Sequence, residues 1–264
     1  MADLFLKQAK QYSEGRPNYP EELFQFISSK TPNHDLAWDV ATGSGQAARS
    51  LAGIFKNVIA TDASQKQLDF APKLPNVRYQ CTPANMSLEE LERDVATQSS
   101  LDLVTIAQAM HWFHLPTFYK QVKWVLKKPH GVIAAWCYSI PEDKDAFNPV
   151  FQRFYTVDCE PYWNPARKLV DDKYLSIDFP FEPVDGADHT GPFEFKIERL
   201  MDLDGYFTFI RSWSSYQIAK EKGVELLRDD VIQDFKRAWS EDGNDQKVIK
   251  FPVHLRIGKV GSLN

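Results

Sequence analysis

Short apolar runs alternate with helical stretches over residues 20–140, and this alternation constrains the fold more than any other feature of the sequence. The strand-like runs share an enrichment in β-branched, aromatic and small apolar residues, and they are 36–40, 58–61, 77–81, 101–107 and 131–136. Several lack the polar–apolar alternation of a half-buried strand, which is typical of strands covered on both faces. The pattern predicts an α/β fold with a doubly wound, mostly parallel sheet, and such sheets bind ligands beyond the carboxyl ends of their strands.

The composition changes after residue 140. Residues 141–192 hold a dense series of prolines with aromatic residues between them, which we interpret as a cap inserted after the fifth strand. Two alternating runs, 193–200 and 248–257, flank helical material at 204–240 and are expected to complete a seven-stranded sheet as antiparallel edge strands. Pro252 fits an edge or a bulge. We expect a single domain over 1–264, with a cofactor-binding core at 31–140, the cap at 141–192, and C-terminal strands and helices at 193–264.

Charge and cysteine content disfavour several classes of partner. Lys plus Arg is 31 and Asp plus Glu is 36, giving a net charge of −5, so a nucleic-acid partner is not expected. Three cysteines without C-x-x-C spacing predict neither a disulfide framework nor a zinc site. The longest strongly apolar run, 131–140, is about half a membrane span, and the first residues do not resemble a signal peptide. We expect a cytoplasmic protein with no membrane partner.

A glycine-rich turn follows the first strand and carries the strongest chemical signal. The segment from Asp39 to Ala48 reads Asp-Val-Ala-Thr-Gly-Ser-Gly-Gln-Ala-Ala, and the next strand ends at Asp62, where a carboxylate can accept hydrogen bonds from a ribose diol. Gly43 and Gly45 let a ligand approach the backbone closely. The loop also fits the dinucleotide form G-x-G-x-x-G/A. Asp39 would oppose a pyrophosphate but suits the ammonium and sulfonium groups of S-adenosylmethionine, so the charges favour that cofactor.

The loop resembles the acid-x-Gly-x-Gly-x-Gly segment of class I S-adenosylmethionine-dependent methyltransferases, with Ala41 in place of the first glycine. Three further segments are similar to one branch of that family, the type-11 small-molecule methyltransferases related to trans-aconitate methyltransferase and its plant and fungal relatives. They are Tyr-Ser-Glu-Gly-Arg-Pro-Asn-Tyr-Pro at 12–20, Ala-Gln-Ala-Met-His-Trp-Phe at 107–113 and Arg-Ser-Trp-Ser-Ser-Tyr at 211–216. The resemblance extends over nearly the whole chain and implies the Rossmann-like methyltransferase fold.

The resemblance also implies which positions contact the cofactor: Tyr12, Arg16, Asp39, Ala41, Gly43, Gly45, Asp62, Ala63, Gln67, Ala84, Asn85, Ala107 and Gln108. By that likeness, Asp39 would face the amino group of the methionine part, directly or through water, and Asp62 would hold the ribose. Asn85 would lie at the adenine edge, where many relatives have an acid. Tyr12 and Arg16 would close over the site from an N-terminal segment, residues 1–30.

Aromatic residues and one histidine are candidates for the acceptor side of the site. His111, Trp112, Trp163 and Trp213 are predicted to contact substrate, with His111 also the candidate catalytic residue. For Trp163 and Trp213, each taken alone, packing in the core or the cap is the favoured interpretation and contact with substrate is the alternative. His111 and His114 lie three residues apart, but no acid or cysteine accompanies them at ligand spacing, so no metal is expected.

These observations predict methyl transfer to a small organic acceptor by a monomer or homodimer. Carboxylate O-methylation is favoured slightly over N-, phenolic O- or C-methylation. A general base is needed only if the acceptor enters protonated. Arg16 and Arg211 are candidate partners for a carboxylate, with His111 as a neutral hydrogen-bond donor, and a surface salt bridge is the favoured interpretation of Arg211. A nicotinamide-dependent oxidoreductase and a non-catalytic module that retains the cofactor fold are the alternatives.

Overall fold

A seven-stranded sheet organises the chain, which we describe from a computed structural model at residues 18–141, 148–241 and 243–262. Its strands are β1 (Leu36–Val40), β2 (Asn57–Asp62), β3 (Val77–Cys81), β4 (Leu103–Ala107), β5 (Val132–Tyr138), β6 (Phe193–Asp202) and β7 (Gln246–Lys259). The order is β3-β2-β1-β4-β5-β7-β6. The first five strands pair in parallel, and β7 is antiparallel to both β5 and β6. The predicted doubly wound sheet, mostly parallel with antiparallel pairing at one edge, is confirmed.

Helices fill the connections between the strands. They are α1 (Glu21–Ser29), α2 (Gln46–Ala52), α3 (Gln65–Leu68), α4 (Leu88–Asp94), α5 (Leu115–Val125), α6 (Asn148–Arg153), α7 (Arg167–Asp171), α8 (Leu203–Arg211), α9 (Ser214–Glu221) and α10 (Asp229–Trp239). α4 starts at the capping box that the sequence predicts, because the Ser87 hydroxyl accepts from the Glu90 amide while the Glu90 carboxylate accepts from the Ser87 amide. Among the described residues, no helix is both long and apolar enough to cross a bilayer.

The sheet separates two apolar clusters. Along β5, Ala134 and Trp136 belong to one cluster, which also contains buried residues of α1, α2 and α8–α10. Their neighbours Ile133 and Ala135 belong to the other, with buried residues of α4 and α5. Successive side chains of a strand point to opposite faces, so β5 is apolar on both sides because both sides are covered.

Pro252 lies in β7, an inner strand, opposite Lys196 of β6. Its carbonyl accepts a hydrogen bond of 3.0 Å from the amide of Ser139, immediately after β5 ends at Tyr138. Because the N–H and C=O of one strand residue point to the same side, the missing N–H of the proline faces the place where β5 stops. The inner strand therefore tolerates the proline with little loss of pairing.

Residues of the predicted cap pack against the helices between β6 and β7. A π-helical turn (Phe154–Asp158) continues α6, and a 3-10 turn (Glu160–Tyr162) follows it. Trp213, between α8 and α9, has its ring 5.7 Å from that of Trp163 and 5.9 Å from that of Phe151. The aromatic layer is thus assembled from two parts of the chain, the predicted cap and the helices between β6 and β7.

Candidate active site

The glycine-rich loop leaves β1 in a run of left-handed backbone conformations. Ala41, Gly43 and Gly45 have φ values of 52°, 59° and 81°. A Cβ at Gly45 would lie 2.8 Å from the Tyr79 hydroxyl, so a larger residue there would have both a strained backbone and a crowded side chain. Ala41 adopts the same left-handed region at a cost, because alanine disfavours it by about 1–2 kcal/mol. Glycine adopts this conformation without that cost, which explains why it is usual at this position in the methyltransferase family that the loop resembles.

Asp39 lies beneath this loop and is fully buried. One carboxylate oxygen accepts a hydrogen bond of 2.7 Å from the Thr105 hydroxyl, and the other accepts from the Thr42 hydroxyl. Burial raises the pKa of Asp39 to about 6, while the two hydroxyl donors act in the opposite direction. The carboxylate is not among the groups that line the adjoining cavity, so its predicted contact with the cofactor amino group would need an intermediary such as water.

Asp62 joins the end of β2 to the glycine-rich loop. Its Oδ2 accepts a hydrogen bond of 2.9 Å from the Gly43 amide, and its Oδ1 accepts one of 2.8 Å from the Ser64 amide. Burial raises the pKa of Asp62, and these amide donors oppose that effect. Each carboxylate oxygen keeps capacity for a second hydrogen bond, which is what a ribose diol beside the loop would require.

A cavity of about 230 Å³ opens at the carboxyl ends of the parallel strands. The predicted cofactor residues that line it are Ala41, Gly43, Asp62, Ala63, Gln67, Ala84, Ala107 and Gln108. Asp39, Gly45 and Asn85 are not part of the lining, and Asn85 is exposed. Tyr12 and Arg16 fall in residues 1–17, outside the described part of the chain. The structure therefore brings together eight of the predicted cofactor positions around one cavity.

Two glutamines of the cavity have different surroundings. Gln108 has a φ of 55°, and its side-chain amide is hydrogen-bonded to Tyr138, the last residue of β5. The side-chain oxygen accepts from the Tyr138 amide at 2.7 Å, and the side-chain nitrogen donates to the Tyr138 carbonyl at 3.3 Å. Gln67 is 4% exposed, and its buried Oε1 has no hydrogen-bond partner among the described residues. A buried acceptor of this kind is costly unless a ligand supplies the donor, so the site fits a nucleoside cofactor.

All four residues predicted for the acceptor side line the same cavity. His111 lies in a 3-10 turn (Met110–Trp112) after β4, with its ring 4.5 Å from that of Trp112. Its Nδ1 is 3.0 Å from the Tyr174 hydroxyl. Nδ1 of His114 is 2.9 Å from the Thr117 hydroxyl. Within the described ranges, no three His, Cys, Asp or Glu side chains are grouped closely enough to hold a metal ion.

Arg167 and Tyr155 also line the cavity, and sequence reasoning missed both. Arg167 Nε donates to the Tyr155 hydroxyl at 2.7 Å and to Asp171 at 3.1 Å, and the same hydroxyl donates to Asp171 at 2.7 Å. The guanidinium carbon lies 5.0 Å from the centroid of the Trp163 ring. The i, i+4 spacing of Arg167 and Asp171, directly after Trp163 and in the predicted cap, is the signal that could have revealed this group.

Comparison with known proteins gives the class. A family described as "Methyltransferase domain" matches residues 37–131. A proposed methyltransferase of Dictyostelium discoideum is 34% identical over 263 residues, covering 97% of this chain and 95% of that one. A proposed S-adenosylmethionine-dependent methyltransferase of Saccharomyces cerevisiae is 27% identical over 79% of each chain. A solved structure of a proposed type II methyltransferase from Anaeromyxobacter dehalogenans superposes with a TM-score of 0.77 at 27% identity, covering 94% of this chain and 99% of that one.

Fold, loop and relatives agree on the kind of enzyme. The chain belongs to the class I S-adenosylmethionine-dependent methyltransferases, and its cofactor is S-adenosylmethionine. It is an enzyme that transfers a methyl group to an acceptor, and the nicotinamide-dependent alternative is set aside.

Proposed function

We propose that the enzyme methylates a small organic acceptor that carries a carboxylate, with the carboxylate oxygen as the favoured methylated atom. Arg167 carries this proposal. It is a cation in the wall of a cavity continuous with the cofactor residues, and it was absent from the residues that the sequence suggested.

Arg167 is held in one orientation and still has donors to offer. Its Nε is engaged by Tyr155 and Asp171, and its guanidinium stacks near Trp163. Among the described residues, its two terminal amino groups have no hydrogen-bond partner, although the side chain is only 17% exposed. A planar guanidinium presents paired N–H donors that match a carboxylate, so a carboxylate is the ligand that these donors suit best.

The remaining walls favour a small acceptor with an apolar body. Trp163, Trp213, Tyr155 and Phe209 all line the cavity, and concave aromatic sites with a few fixed polar groups are typical of small-molecule binding. N-, phenolic O- and C-methylation remain the alternatives for the atom that reacts.

This arrangement needs little from the protein beyond alignment. Bound S-adenosylmethionine supplies a methyl group already activated by the positive sulfonium. Arg167 would orient the acceptor, and the aromatic walls would exclude water. Such orientation contributes on the order of 7–11 kcal/mol in well-aligned reactions. A carboxylate enters ionised at neutral pH, so no side chain has to remove a proton.

The test is transfer of labelled methyl from S-adenosylmethionine to panels of small carboxylic acids, phenols and amines. We expect label in the acids, and Arg167→Gln should raise their KM by about tenfold or more, the value of one charged hydrogen bond. Arg211→Gln is the matched control, because that guanidinium lies 5.9 Å from the Phe207 ring and does not line the cavity. Label confined to phenols or amines, or an unchanged KM in Arg167→Gln, would contradict the proposal.

A further inference from the structure

His111 is in contact with a buried tyrosine that lies behind it. Tyr174 is fully buried and does not line the cavity, and its hydroxyl is 3.0 Å from Nδ1 of His111. His111 itself lines the cavity. The imidazole therefore lies between the Tyr174 hydroxyl and the cavity, and it can carry an effect of Tyr174 to a bound ligand.

The direction of this hydrogen bond follows from the surroundings of the hydroxyl. Burial raises the pKa of Tyr174 well above its usual value, so the hydroxyl keeps its proton. Among the described residues, Nδ1 of His111 is the acceptor that this O–H has. If Nδ1 were the protonated nitrogen, the buried O–H would lose its acceptor, at a cost of about 1–3 kcal/mol. The hydroxyl therefore donates to Nδ1, and a neutral imidazole then carries its proton on Nε2.

We propose that Tyr174 is a positioning residue that holds His111 in the Nε2–H tautomer, so that His111 donates a hydrogen bond to an oxygen of the methyl acceptor and does not act as a base. A base at Nε2 would require the proton on Nδ1, which is the arrangement that deprives the Tyr174 hydroxyl of its acceptor.

The backbone around Tyr174 is held in a conformation that serves this contact. Lys173 and Tyr174 have φ values of 58° and 59°, and two successive non-glycine residues in the left-handed region are strained by about 1–2 kcal/mol each. Arg256 of β7 donates from Nη1 to the carbonyl of Tyr174 at 2.8 Å and to that of Ile177 at 3.2 Å. This clamp links the sheet to the tyrosine and, through the tyrosine, to His111.

The inference deepens the proposed function, since it rests on that function for the identity of the acceptor atom. A donor at Nε2 suits an acceptor that arrives ionised, such as a carboxylate. It does not serve a phenol or an ammonium group that must lose a proton before it can react. Together, His111 and Arg167 would supply donors to one anionic acceptor from different parts of the cavity wall.

The tautomer is measurable without any acceptor. The protein, labelled with ¹⁵N-histidine and saturated with S-adenosylhomocysteine, is examined by two-bond ¹H–¹⁵N correlation at pH 8, where an imidazole is normally neutral. The His111 signals are identified by their loss in His111→Gln. We expect Nε2 to show the shift of a protonated ring nitrogen and Nδ1 that of an unprotonated one. In Tyr174→Phe we expect both shifts to move toward an average of the two tautomers.

Tyr119→Phe is the matched control. Tyr119 belongs to the same apolar cluster, and its hydroxyl donates to the Asp178 carbonyl at 2.8 Å rather than to His111. It should leave the His111 shifts unchanged. A protonated Nδ1 in the wild type overturns the inference even if Tyr174→Phe fails to fold, and so do unchanged shifts in a folded Tyr174→Phe. Because no acceptor is present, these outcomes do not depend on whether the acid panel succeeds.

Discussion

Replacing Asp39 by asparagine is expected to stabilise the fold at neutral and alkaline pH while it weakens cofactor binding. The carboxylate is fully buried, and its pKa is raised from 3.8 to about 6, chiefly by burial. Because the folded chain binds this proton more tightly than the unfolded chain, the protonated form contributes stability. That contribution is complete below about pH 4 and is lost as the pH rises through about 6.

The magnitude follows from the two pKa values. A rise from 3.8 to about 6 corresponds to about 3 kcal/mol of lost stability at pH 8, and about half of that loss is already present at pH 5. Asparagine cannot ionise, and its carbonyl and amino groups can pair with the hydroxyls of Thr105 and Thr42. Allowing for weaker hydrogen bonds than the carboxylate makes, we expect Asp39→Asn to be more stable than the wild type by about 1–2 kcal/mol at pH 8.

Urea unfolding of both proteins between pH 5 and pH 8 tests this expectation, with the difference between them isolating Asp39 from the other titrating groups. The difference should grow with pH by about 1.5 kcal/mol, and titration with S-adenosylhomocysteine should show weaker binding in the variant. A variant less stable than the wild type at pH 8, or a difference that does not change with pH, would refute the reasoning.

Asp102→Asn is the control for this experiment. Asp102 is also buried, but it precedes β4 at the end of the sheet away from the cavity. It accepts hydrogen bonds from the Leu36 amide at 3.0 Å and from the Lys127 ammonium at 2.7 Å. Its replacement should destabilise the fold, because it removes the partner of a charged group, and should leave cofactor binding unchanged.

The remaining predictions concern the loop and the end of β2. Asp62→Ala should weaken S-adenosylhomocysteine binding by about 100-fold in calorimetry on the folded variant, the value of two hydrogen bonds to a charged group. Unchanged affinity would remove the ribose role. Ala41→Gly should raise the free energy of unfolding by about 0.5–1 kcal/mol, because glycine adopts the observed φ of 52° without strain but loses more entropy on folding. A lower melting temperature in that variant would show that the loop is not strained at this position.

The sheet was predictable because its signals are local in sequence. Each apolar run of the first five strands is bounded by turn or capping residues, and β3 (Val77–Cys81) was predicted with its observed bounds. The inner position of β7 was not predictable from alternation, since β7 is half exposed at its start and covered only where β5 lies beside it. The burial of β7 depends on which strands lie beside it, and this cannot be read from the sequence of β7 alone.

The grouping of the candidate cofactor residues around one cavity was predictable for a similar reason. The loop after β1 and the acid at the end of β2 lie on adjacent parallel strands, and strand ends that share one edge of a sheet meet without further folding information. Gly43 follows the end of β1 and Asp62 ends β2, so the sequence already predicts that they lie close together. In the structure the Gly43 amide donates to Oδ2 of Asp62 at 2.9 Å. Burial of Asp39 behind Thr42 and Thr105 was not visible, because it depends on side-chain packing across β1 and β4.

The acceptor half depends instead on contacts between distant parts of the chain. His111 reaches Tyr174 across 63 residues, and Trp163 meets Trp213 only because the cap packs against the helices between β6 and β7. No hydrophobic periodicity or short motif predicts such long-range contacts. They follow from how the aromatic side chains of several elements pack together in one layer. The candidate cofactor residues lie at the ends of the strands, whereas Trp163 and Trp213 belong to that aromatic layer. Changes to the layer can therefore alter acceptor chemistry without disturbing Asp62 or the loop, and this is the physical reason that the cofactor can be predicted from a sequence whose acceptor cannot.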